Sequence, residues 1–219
     1  MRNNVIFVIG SLFLTSCQAW EPLTTKDLVP AETMERIKAE KAAAEQNLHA
    51  DRATLQMETF GILADFVGNT YRGEPIDGSS EAVADIQEWA WADEEEPSLL
   101  IRHSLEDGSY GGDTIVRRDS ATGKLSYVYT TTAGFVTRGT FEVSEEGTWE
   151  AEEDVEGHTD ISKVRSSGHV REDGALISSS EYLKKDGTWV TGHGFVYRKS
   201  DRTLAEHLDK PAGWKVWKR

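Results

Sequence analysis

Cysteine is almost absent: Cys17 is the only one in 219 residues. No internal disulfide can form, and a Cys-based metal site cannot be assembled within one chain. Proline is scarce, at five residues, and no apolar run reaches the length of about 18 residues that a membrane-crossing helix needs. Bases are the minority, with 24 Lys and Arg against 38 Asp and Glu and a net charge of −14. That balance argues against nucleic acid as a partner, because phosphates demand a basic footprint, and against electrostatic docking on anionic lipid. The ordinary consequence of such acidity is a soluble surface. Composition is otherwise that of a globular domain, 38% hydrophobic and 28% charged.

The lone cysteine sits in a specific setting. Met1-Arg2-Asn3-Asn4 is a short basic start, and residues 5–14 form an apolar run of the length of a signal h-region. Leu14-Thr15-Ser16-Cys17 resembles the bacterial lipobox, in which the cysteine is diacylated and becomes the mature N-terminus. The resemblance implies a leader over residues 1–16, lipidation at Cys17 and a membrane attachment through its acyl chains. Several chains are needed for tight anchoring. Gln18 follows the cysteine, and in that family a non-Asp residue there implies outer-membrane sorting, here facing the periplasm. Residues 17–30, with Pro22 and Pro30 and no periodic pattern, read as a tether.

Residues 31–60 predict one long helix: alanine is abundant and neither Gly nor Pro interrupts. Met34, Ile37, Ala44, Leu48 and Leu55 approach a heptad seam that Lys41 and Asp51 break. The helix is expected either to act as a spacer or to pack its second half across the open end or edge of the following domain. From Gly61 the periodicity changes to two. About ten short alternating runs lie between residues 66 and 199, separated by turn dipeptides such as Asp107-Gly108, Thr122-Gly123, Asp173-Gly174 and Asp186-Gly187. No crossover helix separates them, so neighbours pair antiparallel, and closure removes the two edges that an open meander would expose. The reading is an all-β, antiparallel up-and-down barrel over residues 61–200. A tail over 201–219 follows, with a short helix around residues 204–208.

One hairpin illustrates the reasoning. Asp186-Gly187 suits a two-residue type I′ turn. That turn would pair Lys184 with Trp189, Tyr182 with Thr191, Ser180 with His193, Ser178 with Phe195 and Leu176 with Tyr197. Paired residues share a face, so Trp189, Tyr182, His193, Phe195 and Tyr197 would line one wall. Alternation elsewhere adds Trp149, in phase with Ala151 and Val155, and less firmly Trp89 and Trp91.

The start of the β region, Phe66-Val67-Gly68-Asn69-Thr70-Tyr71-Arg72-Gly73-Glu74, resembles the Gly-x-Trp-x-Gly opening of lipocalin-like barrels, including nitrobindin-type haem-binding domains. Tyr71 stands at the aromatic position, with one extra residue after Gly68. The resemblance implies a lipocalin-like barrel whose floor is plugged by that aromatic, and makes His193 a haem candidate as an axial ligand. The other reading of His193 is a core-edge imidazole satisfied by a neighbour such as Ser180.

Other chemistry is thin. His103 lies on the apolar stripe of its strand, and no histidine has a second ligand at zinc spacing, so no metal is assigned. Glu153 falls in phase with Trp149 and would point inward from a regular strand; a strand end or bulge turning it outward is expected instead, since a buried carboxylate needs partners. Gly108-Ser109-Tyr110-Gly111-Gly112 has the setting of a turn, not of a nucleophile elbow or a nucleotide loop. The acidic runs at residues 93–96 and 145–146 read as solvated loops rather than calcium sites. The favoured function is non-catalytic binding of a small, largely apolar molecule in the barrel. The alternatives are an enzyme pairing His193 with a carboxylate, and a structural lipoprotein whose helix and barrel exterior engage an envelope protein partner.

Overall fold

The computed structural model describes residues 30–76, 83–93, 96–144 and 146–209. Cys17 and its leader, the tether, the acids at 94, 95 and 145 and the tail beyond 209 lie outside the described residues. The chain divides into two compact units, Met1–Leu48 and His49–Arg219. Helix α1, Ala31–Phe60, runs through the boundary. In the first unit its exposed face carries the pairs Lys38–Glu35, Arg36–Glu40 and Lys41–Glu45, spaced three or four residues apart.

In the second unit a 3-10 helix, Gly61–Phe66, leads into ten strands: β1 Thr70–Pro75, β2 Asp85–Trp91, β3 Ser98–Leu105, β4 Gly111–Arg118, β5 Leu125–Thr131, β6 Val136–Val143, β7 Thr148–Glu156, β8 Ile161–Val170, β9 Leu176–Lys184 and β10 Trp189–Ser200. Each pairs antiparallel with its neighbour in sequence, and β1 pairs with β10 to close the barrel. This is the all-β up-and-down barrel, preceded by one long helix, that the alternation predicts.

The inner face is marked by Tyr71, Trp89, Leu99, Val116, Leu125, Tyr127, Ala151, Leu176 and Tyr197, which form one buried cluster with Phe60, Leu63 and Phe66. One end is a sealed floor. Phe66 packs 5.1 Å from both Tyr71 and Trp89, and Phe60 lies 5.7 Å from Trp91. The helix's last turn thus closes an end of the barrel, and Tyr71 is the floor aromatic. The outer wall is charged and cross-linked by ion pairs such as Lys163–Asp154, Arg165–Glu152 and Arg138–Glu156. A lipid-facing wall would be apolar. No described helix is long and apolar enough to cross a membrane. Outside, the short helix α2, Leu204–His207, is started by a Thr203/Glu206 capping box and buries Leu204 and Leu208 on Ile86.

The hairpin at Asp186-Gly187 corrects the expected register. Lys184 pairs with Thr188 through a 2.9 Å bond, so the loop has three residues, and Gly187 alone takes a positive φ, +89°. A type I′ turn needs positive φ at both central residues, and Asp186 stays outside that region. Trp189 therefore pairs with Leu183 and Thr191 with Glu181. A bulge between Thr191 and Gly194 then restores the parity, so Phe195 pairs with Ser178 and Tyr197 with Leu176 as expected. Ser180 holds the bulge, its hydroxyl accepting from the His193 N–H and donating to the His193 carbonyl, both at 3.0 Å.

Several inward rings lie over glycines of the adjacent strand. A Cβ on Gly73 would come within 2.5 Å of the Tyr197 ring, and Tyr129 similarly covers Gly112, Trp149 covers Gly168 and Tyr182 covers Gly192. Gly73 is in a strand where Ala would ordinarily gain about 0.5–1 kcal/mol from backbone entropy. Because Tyr197 is buried, Gly73→Ala instead loses about 1–3 kcal/mol to overpacking. Urea unfolding followed by tryptophan fluorescence measures the sign.

Candidate functional site

The inner wall carries a polar chain on strands β2, β3, β5 and β10. Asp85 is held by three donors: the Tyr197 hydroxyl at 2.7 Å, His103 Nδ1 at 2.9 Å and the Gln87 amide at 3.4 Å. Gln87 in turn accepts from Trp89 Nε1 at 3.2 Å. An acceptor-only carboxylate fixes the His103 tautomer with its proton on Nδ1. His103 Nε2 then faces the Tyr129 hydroxyl at 2.5 Å, and Tyr129 meets the Tyr110 hydroxyl at 2.7 Å. On strands β5, β6 and β7 a second cluster forms. Glu153 accepts one hydrogen bond from the Thr137 hydroxyl and a further one from Tyr127. Gly139, opposite Glu153, leaves the space that the carboxylate stem fills.

Burial sets the electrostatics. It pushes the Glu153 carboxyl above its ordinary range, with the Thr137 and Tyr127 hydrogen bonds pulling the other way. It raises the phenols of Tyr127, Tyr129 and Tyr197, and takes Tyr110 up to about 12. All four phenols therefore remain neutral donors at physiological pH. Among the described residues no buried side-chain nitrogen or oxygen lacks a partner, so both clusters are satisfied networks.

Above the floor the inward side chains are only partly covered. Ile101, His103, Tyr129, Phe141, Trp149, Glu153, Ser178 and Phe195 all face inward yet are only half-buried, whereas Phe66, Trp89, Leu99 and Tyr197 are sealed. A groove of about 570 Å³ lies on the outer wall among Glu142, Glu150, Glu152, Arg165 and Glu181. Two of its acids are neutralised in exposed cross-strand pairs, Glu142 with Lys124 and Glu152 with Lys163 and Arg165. Such solvated pairs organise little chemistry, and the lumen is the better candidate.

The residues singled out from sequence separate into four groups. Phe195 and Trp149 face the lumen, Trp149 stacking on Phe141 at 5.1 Å. Tyr182 and His193 meet edge to face at 5.9 Å near the open rim, and Tyr197 belongs to the sealed wall, where it holds Asp85. Trp189 is on the outer face, with the Arg165 guanidinium 4.4 Å from its ring centre; the three-residue turn is what put it there. His193 is exposed. Its ring lies at the rim rather than enclosed within the barrel. Ser180 satisfies the backbone of His193, not its ring.

Glu153 points inward, against expectation, because β7 stays regular from Thr148 to Glu156 and hydroxyl partners await it. The histidine–carboxylate pair on the inner wall is His103–Asp85; a second, His207–Glu106, joins the short helix α2 to the end of β3 outside the barrel. The signal for the inner pair was the shared phase of Asp85, Gln87, Trp89 and Trp91, set beside the phase of Leu99, Ile101 and His103. Both His103 nitrogens are occupied, and no serine, threonine or cysteine side chain bonds to it, so no nucleophile–base pair exists here. Among the described residues no three metal-ligating side chains converge. Neither a family model nor a curated protein matches the chain.

Glu153 gives a pH signature. With a raised folded-state pKa, its contribution to stability is full below the unfolded carboxyl range, near about pH 4.3, and is lost as pH rises through the folded value. Glu153→Gln removes that loss. Its melting temperature relative to the parent should climb from pH 4 to pH 8, and a constant offset would show that burial of this carboxyl is not the cause.

Proposed function

We propose that this chain is a non-catalytic binding protein, held at the bacterial envelope by acylated Cys17, that carries a small, largely apolar ligand in the barrel lumen. The supporting observation is the pairing of accessible inward aromatics, Phe141, Trp149 and Phe195, with the fixed polar groups Tyr129, His103 and Glu153. Ligand sites combine an apolar lining with a few placed polar groups in this way. A purely structural lipoprotein would have no reason to keep such surface inside; a solid core would serve it better. No serine, threonine or cysteine side chain bonds to His103 on the inner wall, which favours binding over turnover there. The anchor rests on the Leu14-Thr15-Ser16-Cys17 leader.

Titrating the full chain with a naphthoquinone, a long-chain alcohol and a fatty acid should give saturable quenching of tryptophan fluorescence with at least one of them. Ser178→Trp, which projects an indole from a small inward position, should abolish it. No saturable response to any of these, nor to a hydrophobic ammonium ion of similar size, would sink the binding reading. In a bacterial host, labelled palmitate should enter the chain and Cys17→Ser should lose the label; equal labelling of the two would remove the anchor.

A further inference from the structure

The inward positions named above hold two carboxyl groups, Asp85 and Glu153, one imidazole, and no lysine or arginine. The two acids are not equivalent. Asp85 is enclosed by donors from Tyr197, His103 and Gln87. Glu153 has only two neutral hydroxyls, and among the described residues no cation pairs with it. The outer-wall acids behave differently: Glu142, Glu152, Asp154 and Glu156 each meet a Lys or Arg. The protein thus supplies counter-charges where water already screens them and withholds one inside the lumen, where the field of a carboxylate is strongest.

Around Glu153 the wall is aromatic. Tyr127 bonds to it, Phe141 lies 6.3 Å from Tyr127 at a near-perpendicular angle, and Trp149 stacks on Phe141. Ring faces attract cations and offer nothing to an anion. A carboxylate ligand would face the charges of Asp85 and Glu153 together, and a neutral ligand would leave Glu153 uncompensated.

Resting on the lumen-binding reading, we infer that the ligand is an organic cation: an ammonium or quaternary ammonium group on a compact apolar body, its charge seated against Glu153 and the Tyr127–Phe141–Trp149 wall. Binding would draw the Glu153 proton off wherever that proton is still bound, so affinity for a permanently charged ligand falls as pH is lowered.

The test uses the full chain and three probes of similar shape: benzyltrimethylammonium, its neutral carbon isostere neopentylbenzene, and phenylacetate. The expected order is a cation bound at least tenfold more tightly than the isostere, with the anion weakest. Glu153→Gln should erase the preference for the cation while leaving neopentylbenzene unchanged. With the unmodified chain, affinity for benzyltrimethylammonium should drop on acidification while that for neopentylbenzene holds, a readout that survives even if the variant folds poorly. Equal binding of cation and isostere would overturn the cation assignment but leave the lumen as a binding site. Binding of none of the three, together with no response to the quinone, alcohol and fatty acid, would remove the lumen reading itself.

Discussion

Closing ten strands into one tube creates the problem that the rest of this structure answers. Ten strands enclose more space than a single layer of aliphatic side chains fills. The floor is met by Phe60 and Phe66, delivered from the helix side onto Trp91, Tyr71 and Trp89. Higher up the wall the answer is large rings. They can lean across the lumen only because the neighbouring strand offers glycine, as Tyr197 does over Gly73 and Tyr129 over Gly112. Glycine weakens a strand by itself, and a ring laid over it returns contact that the missing side chain would have made. Closure, aromatic content and glycine placement are one device.

Rings with hydroxyls bring a second requirement. A buried phenol, imidazole or carboxylate without a partner costs more than the packing it supplies. The chain Trp89–Gln87–Asp85–His103–Tyr129–Tyr110 and the cluster Glu153–Thr137–Tyr127 meet it within the wall. These networks fix the rotamers of the residues that border the lumen, so a ligand would meet a preorganised surface. They also leave Asp85 and Glu153 inside with no lysine or arginine among the inward positions named, which gives the interior a preference that an aliphatic lining would lack.

How far the sequence foretold this depends on the range of the interaction involved. The number of strands and their antiparallel order were legible, because alternation and turn dipeptides are local. So was the helix of residues 31–60 and the capped turn after Thr203. Trp189 was not, since Asp-Gly serves both a two-residue and a three-residue turn, and one residue of difference moves a side chain to the other face. The bulge at His193 repaired the register for Phe195 and Tyr197 through a Ser180 hydroxyl thirteen positions away. Glu153 was in the right phase, yet the hydroxyls that make its burial tolerable come from β5 and β6.

By itself, then, the order of residues determined the class of fold, the alternation of each strand and the net acidity, because composition and short-range pattern carry all of these. Only the closed barrel decided which histidine meets which acid. Asp85 and Tyr197 are 112 positions apart, and His103 and Tyr129 are 26 apart. Hydrogen-bond geometry at that separation exists only once the first strand has paired with the last.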